Sequence, residues 1–185
     1  MKKFLIVVDM QRDFVDGALG TNEAQGIVEN VVRKIEGFDG EIIVTYDTHG
    51  EDYMQTAEGR KLPVPHCIRG SQGWQIREEL EKLRTGPAVD KPTFGSQALG
   101  ELLLKLDKEE KIGSITLVGL CTDICVISNA LILKAAFPEA DVYVNPDLCA
   151  GSTPANHAAA LQILCCQSGA GSAGGQCPLT PAAAQ

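Results

Sequence analysis

The sequence predicts an α/β fold: a doubly wound, mostly parallel β-sheet with helices on both faces. Three observations point to it. Short, nearly continuous apolar runs alternate with longer segments of helical spacing along the 185 residues. The apolar runs are rich in Val, Ile and Leu, as strands covered on both faces must be. Several of them end abruptly on an Asp or a Gly, a place where such sheets bind ligands.

The elements follow in chain order. "FLIVVD" (4–9) reads as the first strand, and helical spacing follows over 23–38. "EIIVTYD" (41–47) is the second strand. Residues 50–72 then form a long connection rich in Gly, Pro and charge, marked by His49 and His66; connections of such length are usually functional or disordered. Helical spacing returns over 73–84, and "PAVD" (87–90) reads as one more short strand before Lys91. A helix over 96–107, a strand "SITLVG" (114–119), a helix over 122–136, a strand "DVYVN" (141–145) and a helix over 154–166 complete the alternation. Right-handed crossovers would gather the carboxyl ends of the strands along one rim. Asp9, Asp47, Lys91 and the turn "GLCTDIC" are expected to converge there. Residues 168–185, "SGAGSAGGQCPLTPAAAQ", carry no charge and few large apolar groups. Composition predicts a flexible tail after a single domain over 1–167.

Bulk properties narrow the partners. The chain is 44% hydrophobic and 22% charged, with mean hydropathy +0.01, as in soluble globular domains. A net charge of -8 argues against nucleic acid or an anionic membrane as the main partner. The opening "MKKFLIVVDMQRDF" has a basic pair, but its apolar run stops at Asp9 with no small-residue cleavage site, so a cytoplasmic protein is expected. No apolar stretch approaches transmembrane length. The seven cysteines lack any C-x2-C pair, and thiols are expected rather than disulfides or a Cys-rich zinc site.

Several residues could carry chemistry. With Thr122 as helix N-cap, Cys125 would sit in a first helical turn, where free N–H groups and the helix dipole lower a thiol pKa. The competing reading is a small buried core residue. Cys121 lies four residues away, a spacing that does not favour a dithiol redox pair. Asp9 is either a turn former or a group that takes and returns a thiol proton. Lys91 is either solvated or a cation beside that carboxylate and thiol. Asp47, His49 and His66 offer one carboxylate and two imidazoles, suited to Zn²⁺, Fe²⁺ or Mn²⁺, with Glu58 as a further ligand on the connecting loop. For His157 a capping or surface role is preferred.

Five motifs in order, "DMQRDF" (9–14), "DTH" (47–49), "PHCIRGSQGW" (65–74), "DKPTFGS" (90–96) and "GLCTDICV" (119–126), resemble those of the isochorismatase-like cysteine hydrolases. Within that superfamily the set is most similar to nicotinamidases, also called pyrazinamidases. The resemblance implies a catalytic triad of Asp9, Lys91 and Cys125. It implies a cis Leu120–Cys121 peptide and an oxyanion hole made by the N–H groups of Cys121 and Cys125. It implies metal ligation by Asp47, His49 and His66, with Glu58 added in some members; zinc is the first choice, iron or manganese the alternatives. Phe14 would lie against a planar substrate and Gln11 near the metal waters. The implied reaction is hydrolysis of a small-molecule amide, nicotinamide to nicotinate and ammonia in pyridine nucleotide salvage, through a thioester. Homo-oligomers are common in the family. The alternatives are another small amide or ureido hydrolase of the superfamily, and a non-catalytic binding domain on the same fold. This chain departs from many relatives in carrying Thr48 between Asp47 and His49, and no Trp shortly before His66. "LQILCCQ" also runs into the tail where the family closes with an edge strand.

Overall fold

Strand β1 (Lys2–Val8) lies inside the sheet because Phe4 to Val8 are apolar and fully buried on both faces. The structure, a computed structural model, describes residues 1–166 and 170–171. Around β1 run β2 (Glu41–Asp47), β3 (Ala88–Lys91), β4 (Ile112–Leu120), β5 (Asp141–Ala150) and the two-residue β6 (Ala170–Gly171). They order as β3-β2-β1-β4-β5-β6, and all neighbours are parallel. The strand order reverses between β1 and β4, so a crevice opens beyond their carboxyl ends.

Alternate residues of β1 feed two apolar layers. Phe4, Ile6 and Val8 pack with Leu99, Leu103, Val126 and Leu133, while Leu5 and Val7 pack with Ile27, Val31 and Ile35. The single turn α1 (Arg12–Val15) follows β1. α2 (Asn22–Glu36) begins where the Thr21 side chain accepts from Ala24 N, and buries Ala24, Ile27, Val31 and Ile35 at helical spacing. Short α3 (Ala57–Lys61) and α4 (Glu78–Glu81) precede α5 (Gln97–Glu109), which Ser96 caps at Leu99 N. α6 (Ile127–Ala136) continues a π-helical turn, Thr122–Val126, and α7 (Pro154–Cys166) closes the described helices. None of the described helices is long and apolar enough to cross a membrane. At the end of β4, Gly119 has φ +114, and a Cβ there would lie 2.2 Å from Val8 O. Only glycine allows β1 and β4 to approach so closely.

Three elements differ from expectation. Helical spacing over 73–84 yields only one turn, because Gln75 and Arg77 pair instead with the backbone of Met10 and Arg12. β5 does not stop at residue 145 but runs to Ala150, with a register shift against β4 across Pro146. Pro and Asp there made a strand irregularity look like a turn. The closing edge strand, which had no sequence signal, is present as β6, pairing Ala170 and Gly171 with Val142 and Tyr143. The rest of the expected flexible tail, 168–169 and 172–185, lies outside the described residues.

Candidate active site

Asp9, Lys91 and Cys125 meet at the rim. Asp9 leaves β1 with φ +48, a left-handed conformation that Asp tolerates better than most residues. Thr45 fixes it twice, accepting from Asp9 N at 3.2 Å and donating to Oδ1 at 2.6 Å. Lys91 ends β3 and is fully buried. Its Nζ lies 2.7 Å from Asp9 Oδ2, 3.2 Å from Asp47 Oδ1 and 3.4 Å from Cys125 Sγ. A buried ammonium is stable only when so paired. Burial alone would favour loss of its proton, but Asp9, Cys125 and Asp47 together hold the lysine well above its ordinary pKa. Asp9 is raised by burial and by Asp47, against the pull of Lys91.

Cys125 reverses one expectation. Burial, then Asp9, push its thiol well above the ordinary value, and Lys91 only opposes them. The dipole argument fails because the sulfur is enclosed beside carboxylates rather than open to solvent at a helix start. The N-cap is Cys121, not Thr122, and the turn is π-helical. The Thr122 hydroxyl instead pairs with His157 Nδ1 at 2.8 Å, so His157 is neither a cap nor a mere surface group. The Leu120–Cys121 peptide is cis. Cys121 lines the cavity, its thiol pushed up to about 12 by burial and by Asp123. Cys67, Cys121, Cys125 and Cys149 are free thiols.

Asp47, His49 and His66 form the second cluster, their ligand atoms all within 4.8 Å of one another. His49 Nε2 is 3.0 Å and His66 Nε2 3.7 Å from Asp47 Oδ2. His66 Nδ1 bonds Val64 O at 2.8 Å, which leaves Nε2 as the imidazole lone pair facing the cluster. Burial would raise the Asp47 carboxyl, yet the His49 hydrogen bond, the nearby His66 ring and the charge of Lys91 hold it well below the usual range. One ionised carboxylate and two convergent imidazoles fit a divalent cation. Glu58 Oε1 stands 3.7 and 3.8 Å from the two Nε2 atoms, on the same side. Tyr53 packs against both rings, 4.7 Å from His49 and 5.0 Å from His66.

A cavity of about 550 Å³ lies above both clusters, and Phe14, Asp47, Glu58, His66, Cys121 and Cys125 all line it. Leu19, Leu62, Phe94 and Ile124 supply its apolar wall. Phe14 lies 5.4 Å, centroid to centroid, from His66. Gln11 does not face the cavity. It is fully buried, with Oε1 accepting from Asp47 N at 2.7 Å and Nε2 donating to Asp47 O and Trp74 O, both at 2.8 Å. Its amide is thus engaged by backbone rather than turned toward substrate or water.

An isochorismatase domain model matches residues 3–171. The chain belongs to the isochorismatase family. It is 33% identical over 144 residues to the uncharacterized isochorismatase family protein PncA of Bacillus subtilis (strain 168), across 71% of this chain and 78% of that one. Among solved structures, nicotinamidase/pyrazinamidase PncA from Bacillus subtilis superposes with TM-score 0.78 at 28% identity, covering 93% of this chain and 99% of the other. The pyrazinamidase of Pyrococcus horikoshii, in complex with zinc, gives TM-score 0.72 at 25% identity, with 93% and 98% covered.

In this isochorismatase-family hydrolase, sequence reading missed three supporting side chains. Thr45 sits in a strand where it looks like a β-former. Asn129 is fully buried in α6; it donates to Cys125 O and Phe94 O and accepts from Ser96 N, joining the Cys125 turn to the loop after Lys91. Its signal was a lone amide in the apolar run "VISNALIL". Asp13, in "DMQRDF", accepts from Cys67 N at 2.7 Å.

Proposed function

We propose that the protein hydrolyses nicotinamide to nicotinate and ammonia through a thioester on Cys125, assisted by a divalent metal at Asp47, His49 and His66. One observation carries this reading: a buried lysine bridges a carboxylate at 2.7 Å and a thiol at 3.4 Å, under an apolar cavity. Similarity to a nicotinamidase/pyrazinamidase and to a zinc-bound pyrazinamidase supports the substrate and the ion.

The resting thiol keeps its proton. As sulfur attacks the carboxamide carbon, Asp9 accepts that proton and Lys91 balances the charge that gathers on sulfur. The carbonyl electron pair moves to oxygen, where the N–H groups of Cys121 and Cys125 receive it; one such donor typically contributes about 3–4 kcal/mol. Asp9 passes its proton to nitrogen, the C–N bond breaks and ammonia leaves. Water then gives its proton to Asp9 and its oxygen to the acyl carbon. The C–S bond breaks, the acid departs, and the proton returns to Cys125. Phe14 packs against the ring. When bound, zinc supplies Lewis-acid attachment for the pyridine nitrogen and so orients the amide.

Lys61 on the cavity lining favours a second reading, a ureido acid whose carboxylate meets that cation. An ammonia-release assay on nicotinamide, pyrazinamide and a ureido acid, before and after chelation, separates the two. Turnover of the pyridine and pyrazine amides, lost to chelator and restored by Zn²⁺, is expected. No release from either with zinc restored would sink the nicotinamide reading, and release from the ureido acid alone would establish the second.

A further inference from the structure

We propose that Gln11 and Asp13 form a clamp that sets the positions of the metal ligands without touching the ion. The proposal rests on the metal reading above and explains how two separate loops are aimed at one point.

Gln11 acts on the first loop. The last β1–β2 pairing is Val7 with Val44, and β1 ends at Val8, so Asp47 extends beyond its neighbour on that side. The Asp47 N–H and C=O would be left without partners there. The Gln11 carboxamide stands in for the missing strand, accepting from Asp47 N and donating to Asp47 O at 2.7 and 2.8 Å. On the other edge Thr48 N donates to Lys91 O at 3.0 Å. The backbone that presents Asp47 is thereby held from both sides.

Asp13 acts on the second loop. Cys67, directly after His66, has φ +47, a conformation that residues other than glycine seldom adopt. Its N–H donates to Asp13 Oδ2 at 2.7 Å, and its C=O accepts from His49 N at 3.0 Å. One residue thus joins Asp13, the His49 segment and the His66 segment. The carboxylate fits only because Gly73 lies beneath it: a Cβ at 73 would fall 2.1 Å from Oδ2. Gln11 and Asp13 share one short segment, so both ligand loops are referenced to the same piece of chain. Each is a positioning residue.

The test is Zn²⁺ affinity, measured by competition with a chromophoric chelator on the full chain. Gln11→Ala, Asp13→Ala and Gly73→Ala should each weaken zinc by roughly 10- to 100-fold, the usual range for partners that orient ligands. Turnover should recover at saturating zinc. Gly73→Ala matters because it displaces the carboxylate without removing it, in a half-buried turn outside the helices and strands. Asp13→Asn keeps an acceptor for Cys67 N and should retain more affinity than Asp13→Ala. Folded variants with wild-type zinc affinity, altered only in the melting temperature of the metal-free protein, would overturn the clamp. A wild-type chain that binds no zinc would instead refute the metal reading and the clamp with it.

Discussion

Cys125 and Asp47 both approach Lys91, at 3.4 and 3.2 Å from Nζ, yet the chain holds them by different means. The Cys125 turn is embedded in the larger apolar layer with Val126, Ala130 and Leu133, and Asn129, Ser128 and the Thr122–His157 pair add polar ties. Asp47 and its histidines are held by directed bonds from Gln11, Val64 and Lys91, and Asp13 steadies Cys67 beside them. Apolar packing suffices for a nucleophile that needs one fixed direction and a protected proton. Ligands for an ion must be aimed at a common point, and only hydrogen bonds supply that angular control.

The largest expected effect breaks one side alone. Cys125→Ala should lower kcat/KM for ammonia release by at least ~10⁴-fold, on the scale of deleting a nucleophile, with zinc affinity unchanged. Cys121→Ala should stay within about threefold of wild type, since its backbone N–H is the part assigned a role. A dead Cys121→Ala or an active Cys125→Ala would dismantle the nucleophile assignment. Lys91→Met strikes both sides, because it leaves Asp9 and Asp47 buried together without their shared cation. Removing one partner of a buried pair costs about 3–5 kcal/mol, which urea denaturation would register alongside lost turnover. Unchanged stability would contradict the shared-cation picture.

The last test leaves neutral-pH activity aside and concerns thiols on the apolar side. Burial pushes Cys149 from an ordinary value near 9.0 up to about 12, and Cys121 likewise reaches about 12. A folded pKa above the unfolded one gives stability that is whole below pH 9 and is lost as pH rises toward 12, because the unfolded chain releases its protons first. Unfolding free energies from denaturant titrations at pH 8 to 11 should fall with a limiting slope of about 1.4 kcal/mol per pH unit for each thiol. Cys149→Ala should remove one such share. A flat profile in wild type would show these thiols to be open to water.

The two sides were also unequally legible in the sequence. Burial on both faces writes strands such as "FLIVV" as continuous apolar runs, so β1, β2 and β4 and their terminal residues could be read directly. The supports of the site could not. Thr45 reaches Asp9 across 36 residues and Asn129 reaches Phe94 across 35, and periodicity carries no record of such pairings. Segment 73–77 has helical spacing but pairs with 10–12, a tertiary bond that overrides local preference. The direction of the Cys125 shift follows from burial first and Asp9 second, and neither is visible until the strands are assembled.

The width of the reacting centre is set by an atom that is missing. Asp9 follows Val8 on one strand, and the turn bearing Cys125 follows Gly119 and Leu120 on the next. Those strand ends touch only because position 119 has no side chain, where even a methyl group would strike Val8 O at 2.2 Å. The gauge between acid and thiol therefore belongs to the sheet, while the wall that meets the substrate, Leu19, Leu62, Phe94 and Ile124, belongs to loops and helix starts. Selection for a new amide can work on that wall and leave the spacing of the chemistry untouched.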